Sequence, residues 1–164
     1  MNDSHVHDEY GHMTETIEDT LKLKHRLMKK LDLMKDDLLE PEYIGPKGAS
    51  EVFIGWGSTA MSLREVVERV NENPQAHGAT GPVAALLFTD VFPVPEKKLR
   101  EVVATGAVII NVEQNYNNQF GKLMRAETGL TYHKTINKYD GRPITADDII
   151  DSYLRLEGKE VHRG

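Results

Sequence analysis

From Thr14 to about Leu39 the apolar residues Ile17, Leu21, Leu27, Met28, Leu31, Met34 and Leu38 recur at helical spacing, which predicts one long amphipathic helix over residues 14–40. Thr16 and Asp19 have the spacing of a capping pair at its start. Pro41, Gly45, Pro46 and Gly48 then break it. After Ser50 the period changes. Short apolar runs at Glu51–Gly55, Val83–Phe88 and Ala107–Val112 alternate with helical patterns at about Ala60–Asn71, Glu96–Ala104 and up to Thr128. A fourth strand is expected within Thr131–Lys138, and Thr145 with Asp148 caps a last helix to about Leu156. Strands alternating with helices predict an α/β fold with a mostly parallel sheet covered on both faces, over residues 50–158. Val83–Phe88, apolar at every position, reads as a strand buried on both sides. Residues 1–13 are polar, hold three of the histidines and read as a tail or linker.

Composition narrows the function. The chain has 164 residues, 39% of them hydrophobic and 28% charged, which suits one soluble domain of ordinary size. Its formal charge of −6 argues against nucleic-acid binding as the main role. With no cysteine, it holds no disulfide, thiolate nucleophile or cysteine-ligated iron–sulfur cluster. The apolar runs are too short for a membrane helix and the polar start is no signal peptide, so a cytoplasmic location without membrane attachment is expected.

Candidate chemistry gathers at the carboxyl ends of the expected strands, where open parallel sheets bind ligands. Gly55 and Gly57 permit a tight bend and close backbone approach, and Ser58 or Thr59 is placed to cap the following helix. The Gly57-Ser58-Thr59 helix mouth suits a phosphate or carboxylate, although a strand-to-helix turn uses the same residues for geometry alone. Asp90, Glu113 and Asn115 come from two further turns. Asp90 and Glu113 would do acid–base work if crowding or burial raised one pKa; otherwise these residues cap helices and line a protein contact. Asn115 or Asn117 is expected to cap the helix before Thr128. His5, His7 and His12 with Asp8 and Glu9 have the residue types of a metal site, which a polar tail also explains, and no metal site is assigned. The basic run Lys22, Lys24, Arg26, Lys29 and Lys30 suits either an acidic partner or a solvated face, and Trp56 reads as a packing anchor. The common nucleotide-binding and hydrolase motifs are missing from the sequence.

Several strings together resemble a known family: DEYGH before the basic helix, IGWGST, VFPVP, VEQNYNNQFGKLMRAETG and KYDGRPIT. Their order and spacing resemble the C-terminal part of the alpha subunit of 2-oxoacid:ferredoxin oxidoreductases, with the 2-oxoglutarate branch closest. The resemblance covers nearly the whole chain. It implies a three-layer α/β/α domain similar to the C-terminal domain of transketolase, around a mixed, mostly parallel sheet of about five strands.

The same resemblance implies that the reactive parts lie elsewhere. Thiamine diphosphate, magnesium and iron–sulfur clusters are implied for the full complex, held by an upstream alpha-subunit domain and the beta subunit, with ferredoxin and coenzyme A as further partners. No catalytic or cofactor-binding residue is assigned to this chain. The expected role is a non-catalytic assembly domain in an oligomer, inactive in isolation, either separately encoded or part of a longer polypeptide. Gly57, Ser58, Thr59, Asp90, Glu113 and Asn115 form its candidate ligand or interface edge. The competing expectation is a free-standing small-ligand-binding α/β module with its anion site at Gly57-Ser58-Thr59.

Overall fold

A computed structural model describes residues 6–156 and 158, and the chain divides between Leu38 and Leu39 into two compact units. In the first, strands β1 (Val6–His7) and β2 (Met13–Thr14) pair antiparallel and lead into helix α1 (Ile17–Met34). The expected polar tail therefore contains a small hairpin. Asp8 closes its loop, its Oδ1 accepting the amides of Tyr10 and His12. The Thr16 hydroxyl accepts the Asp19 amide at 3.2 Å, as the capping spacing predicts.

The end of α1 differs from expectation. It stops at Met34 rather than near Leu39, because Asp32, Asp36 and Asp37 crowd its carboxyl end and no basic residue stands in its last turn to offset the helix dipole. None of its residues is buried, and Ile17, Leu21 and Met28 on its apolar stripe are exposed.

The second unit holds a five-stranded sheet. Its strands are β3 (Glu42–Ile44), β4 (Glu51–Trp56), β5 (Val83–Phe88), β6 (Val108–Glu113) and β7 (Lys134–Asn137), in spatial order β3-β5-β4-β6-β7. β4 to β7 are parallel; β3 runs antiparallel along β5. The fold class is as the sequence implies, a mixed and mostly parallel sheet between helices. Helices α2 (Thr59–Glu72), α3 (Lys97–Ala104), α4 (Gln119–Thr128) and α5 (Ala146–Leu156) complete it.

The two-residue period of each strand divides the core. Phe53, Val83, Ala85, Ile110 and Val112 pack with Leu63, Val66 and Val70 of α2 and Ile149 and Tyr153 of α5. The alternate positions Val52, Ile54, Ala84, Leu86, Phe88 and Ile109 pack with Leu99 of α3 and Phe120 and Met124 of α4. Every residue of β5 is buried, which is why it shows no polar alternation.

β3 is the strand of this sheet that the sequence pattern did not predict. Only three residues long and bounded by Pro41 and Gly45, it reads as part of a helix-breaking loop. Gly45 has φ +103, and a Cβ there would lie 2.8 Å from the Val83 carbonyl oxygen, so glycine is required where this strand crosses to its neighbour.

Candidate functional site

The turn after β4 is built differently from the expected cap. Gly57 takes φ +57, which makes the bend, while Ser58 stands at the N-cap with helical angles and its side chain makes no capping bond. The Thr59 hydroxyl is buried and donates back to the Trp56 carbonyl at 2.8 Å. Neither hydroxyl caps α2, because both residues already follow helical geometry while a capping residue needs extended angles. Gly55 supplies the close approach. A Cβ at that position would meet Leu63 Cδ1 at 2.5 Å and Thr59 Oγ1 at 2.7 Å, so the strand end lies directly against its own helix.

Glu113, at the end of β6, is fully buried. Its Oε1 accepts Asn111 Nδ2 at 2.7 Å and the Gly121 amide at 2.9 Å; its Oε2 accepts Asn115 Nδ2 at 2.6 Å and the Phe120 amide at 3.0 Å. The two amides belong to the first turn of α4, whose unpaired N–H groups and positive dipole end attract an anion. The chain's own carboxylate occupies that place. Burial alone would push the Glu113 pKa up, but these four hydrogen bonds outweigh it and hold the acid below the ordinary glutamate range. With both oxygens engaged by four donors and its pKa held below the ordinary range, the Glu113 carboxylate stands as a structural cap.

Of the two asparagines expected to cap α4, Asn115 takes part, its Oδ1 accepting the amide of Gln119, the first residue of the helix, although it is not the N-cap residue itself. Asn118 is the N-cap residue, in left-handed geometry and without a side-chain capping bond, and the amides of Phe120 and Gly121 are taken by Glu113. Asn115 Oδ1 accepts the amides of Asn117 and Gln119 at 3.1 and 3.3 Å, which ties down the turn. Its carbonyl receives Asn137 Nδ2 from the neighbouring strand. Gly121 fits this arrangement for steric reasons: a Cβ there would lie 2.5 Å from Tyr132 and 2.7 Å from Asn111 Nδ2.

Asp90 is committed to a different task. Its Oδ2 accepts the Leu39 amide at 2.8 Å and fixes the segment entering β3. Nearby, Glu40 accepts the Lys98 amide at 2.9 Å and supplies the cap of α3. The candidate edge thus brings its residues to one end of the sheet, yet the carboxylates of Asp90 and Glu113 are held by separate structural partners.

Among the described residues no group of three His, Cys, Asp or Glu stands close enough to hold a metal ion. His5 lies outside the described residues, and His12 faces Asp8 at 3.4 Å. The start of α5 is also sealed: Thr145 and Asp148 exchange capping hydrogen bonds, and Lys138 reaches Asp148 at 2.7 Å.

What the sequence pattern missed is aromatic. Trp56, expected as a packing anchor, is exposed, as are Phe92, Tyr116 and Tyr139; Trp56 is the last residue of β4, and the others follow the ends of β5, β6 and β7. Tyr116 and Tyr139 pack edge to face with centroids 4.9 Å apart.

Comparison with known proteins decides the relationship. No family model matches the chain. The alpha subunit of 2-oxoacid:ferredoxin oxidoreductase 1 from Aeropyrum pernix is 30% identical over 155 residues, 91% of this chain and 23% of that subunit. This chain matches one part of the 2-oxoacid:ferredoxin oxidoreductase alpha subunit. The alpha subunit from Saccharolobus solfataricus is 27% identical over 161 residues, 96% of this chain and 24% of its own length. Among solved structures, the 2-oxoglutarate:ferredoxin oxidoreductase of Magnetococcus marinus with 2-oxoglutarate, coenzyme A and succinyl-CoA bound superposes with a TM-score of 0.71 at 25% identity. That superposition covers 93% of this chain and 25% of the other. The chain therefore spans about a quarter of the alpha subunits it matches.

Proposed function

We propose that this chain is a non-catalytic assembly domain of the alpha subunit of a 2-oxoacid:ferredoxin oxidoreductase. The observation that carries the reading is the shape of the match: nearly all of this chain aligns with about 23% of a 30%-identical alpha subunit. The site geometry agrees in kind, because the buried acid Glu113 is already bound by two backbone amides and two asparagines. In the complex, a 2-oxo acid and coenzyme A would become an acyl-CoA and carbon dioxide, with the released electron pair passing to ferredoxin. The bound 2-oxoglutarate and succinyl-CoA of the Magnetococcus marinus enzyme support 2-oxoglutarate as the substrate.

Thiamine diphosphate, magnesium and the iron–sulfur cluster belong on this reading to the partner polypeptides, a thiamine-binding part of the alpha subunit and the beta subunit. The residues of this chain do not fit those groups: it has no cysteine, and its edge carboxylates are engaged internally. No helix among the described residues is long and apolar enough to cross a membrane, and the reading places the complex in the cytoplasm.

The test is reconstitution from the separate polypeptides, followed by the ferredoxin absorbance change that accompanies reduction. The chain alone should reduce no ferredoxin with 2-oxoglutarate and coenzyme A, and the other polypeptides should need it for full activity. Turnover by the isolated chain, or undiminished turnover without it, overturns the proposal.

A further inference from the structure

We infer that the aromatic row at the carboxyl edge of the sheet, Phe92, Trp56, Tyr116 and Tyr139, is the surface that docks against the remaining part of the alpha subunit. The inference rests on the assembly reading and adds to it the face and the contact chemistry. Each of the four parallel strands delivers one member, and the strand order sets them along the edge in the sequence just given. Their exposures are 48%, 39%, 71% and 63%. Tyr10 is the single other aromatic side chain so exposed among the described residues, so this edge holds all of those in the second unit. Exposed aromatic side chains cost solvation free energy unless a partner covers them, and Trp, Tyr and Phe concentrate at the centres of protein interfaces.

Charge defines the occupant. In a chain with 28% charged residues, this edge presents carboxylates that are already matched: Glu113 sealed beneath the surface, Asp90 on the Leu39 amide, and Asp140 between Lys138 and Arg142. The exposed positions between them are amides and hydroxyls: Ser58, Thr89, Gln114 and Asn117. Such a surface suits an uncharged polypeptide face, and the amides at the first turns of α4 and α5 are already engaged by the Glu113 carboxylate and the Thr145 hydroxyl. The relatives identify which polypeptide. In them the matching stretch is 23–25% of one chain, so the other three quarters is covalently linked and available at high effective concentration.

Trp56 is the sole tryptophan, which makes the edge directly observable. The full chain labelled with 5-fluorotryptophan gives one fluorine resonance, to be followed on addition of the unlabelled thiamine-binding part of the alpha subunit from the same source. The resonance should shift and lose its water-to-deuterium-oxide isotope effect in the complex. Phe92→Ala with Tyr116→Ala should weaken association at least about tenfold while leaving circular dichroism unchanged and lowering Tm only by the small amount that loss of the Tyr116–Tyr139 contact brings. A complex in which Trp56 keeps its full isotope effect and the double variant binds like the parent overturns the docking face and leaves the assembly reading standing. Absence of any complex overturns both. Protection of Trp56 in the chain alone, growing with its concentration, assigns the edge to a second copy and also overturns the inference.

Discussion

The hydroxyl of Tyr153 donates a hydrogen bond to the buried carboxylate of Glu51, joining the last helix to the first residue of β4 across the sheet. Lys134 at the start of β7 reaches the other oxygen of the same carboxylate at 3.3 Å. A buried acid is tolerated here because both oxygens have partners. Tyr153→Phe should lower stability by about 1.5–3 kcal/mol, the value of a hydrogen bond to a charged group. Lys134→Met should couple to it, and a double-mutant cycle read by urea denaturation should give a non-additive remainder. Strict additivity would mean that the three residues do not act as one network.

The capping carboxylate of Glu113 makes a steeper forecast. Glu113→Gln removes the charge and places an amide donor among groups that are themselves donors, so it should cost about 2–3 kcal/mol. Because the folded-state pKa lies below the ordinary value of 4.5, the stabilisation is present above that value and is lost as pH falls through the folded pKa. The stability gap between parent and variant should therefore be flat from neutrality down to about pH 5 and shrink below it. A gap that widens on acidification would contradict an ionised native carboxylate.

At the start of α5, the hydrogen bond from Lys138, aided by the Thr145 amide, lowers the Asp148 pKa from 3.8 to about 2. The sign is the same. Its contribution exists above pH 3.8 and disappears as pH falls toward about 2. Since the Asp148 side chain is 37% exposed, solvent screening reduces the contribution to about 1 kcal/mol. Lys138→Met should raise the Asp148 pKa, measurable by carboxyl carbon NMR titration.

Ser58 and Thr59 separate two accounts of the β4 turn. If Ser58 capped α2, Ser58→Ala would cost about 1 kcal/mol. The geometry gives its side chain no capping bond, so the change should stay within about 0.5 kcal/mol, whereas Thr59→Ala, losing the bond to Trp56, should cost about 1 kcal/mol. Thermal denaturation of the two variants decides the matter.

Gly121→Ala inserts a methyl group against Tyr132 and Asn111, and overpacking of this kind should cost about 1–3 kcal/mol. Tyr132→Leu in the same chain should recover part of the loss, because the nearer of the two obstructing groups is then removed. No recovery would place the strain in the Asn111–Glu113 network instead.

The parallel core was legible because periodicity carries it: Val83–Phe88 could hardly be anything but a buried strand, and Thr145 with Asp148 announces a helix start within four residues. Three features lay beyond such local windows. β3 is too short, at three residues, to show a period. Glu113 caps amides seven and eight residues away, outside the spacing by which helix caps are recognised. The aromatic row depends on strand order, which alternation alone does not specify; Phe92 and Tyr139 lie far apart in the chain and become members of one edge through the topology. The carboxylates of Asp90 and Glu113 looked like reactive candidates because a sequence shows their charge and hides the amides that consume it.

The brief antiparallel border formed by β3 sets how this protein tolerates trimming. β5 is apolar throughout, and Glu42, Tyr43 and Ile44 are what lies between its outer edge and water, with Arg64 of α2 clasping Glu42 in an ion pair. A version beginning at Ser50 would keep every parallel strand and still bare that edge, inviting sheet-to-sheet aggregation. Leu39 to Ala49, which resembles a connector, works as the hem of the fabric.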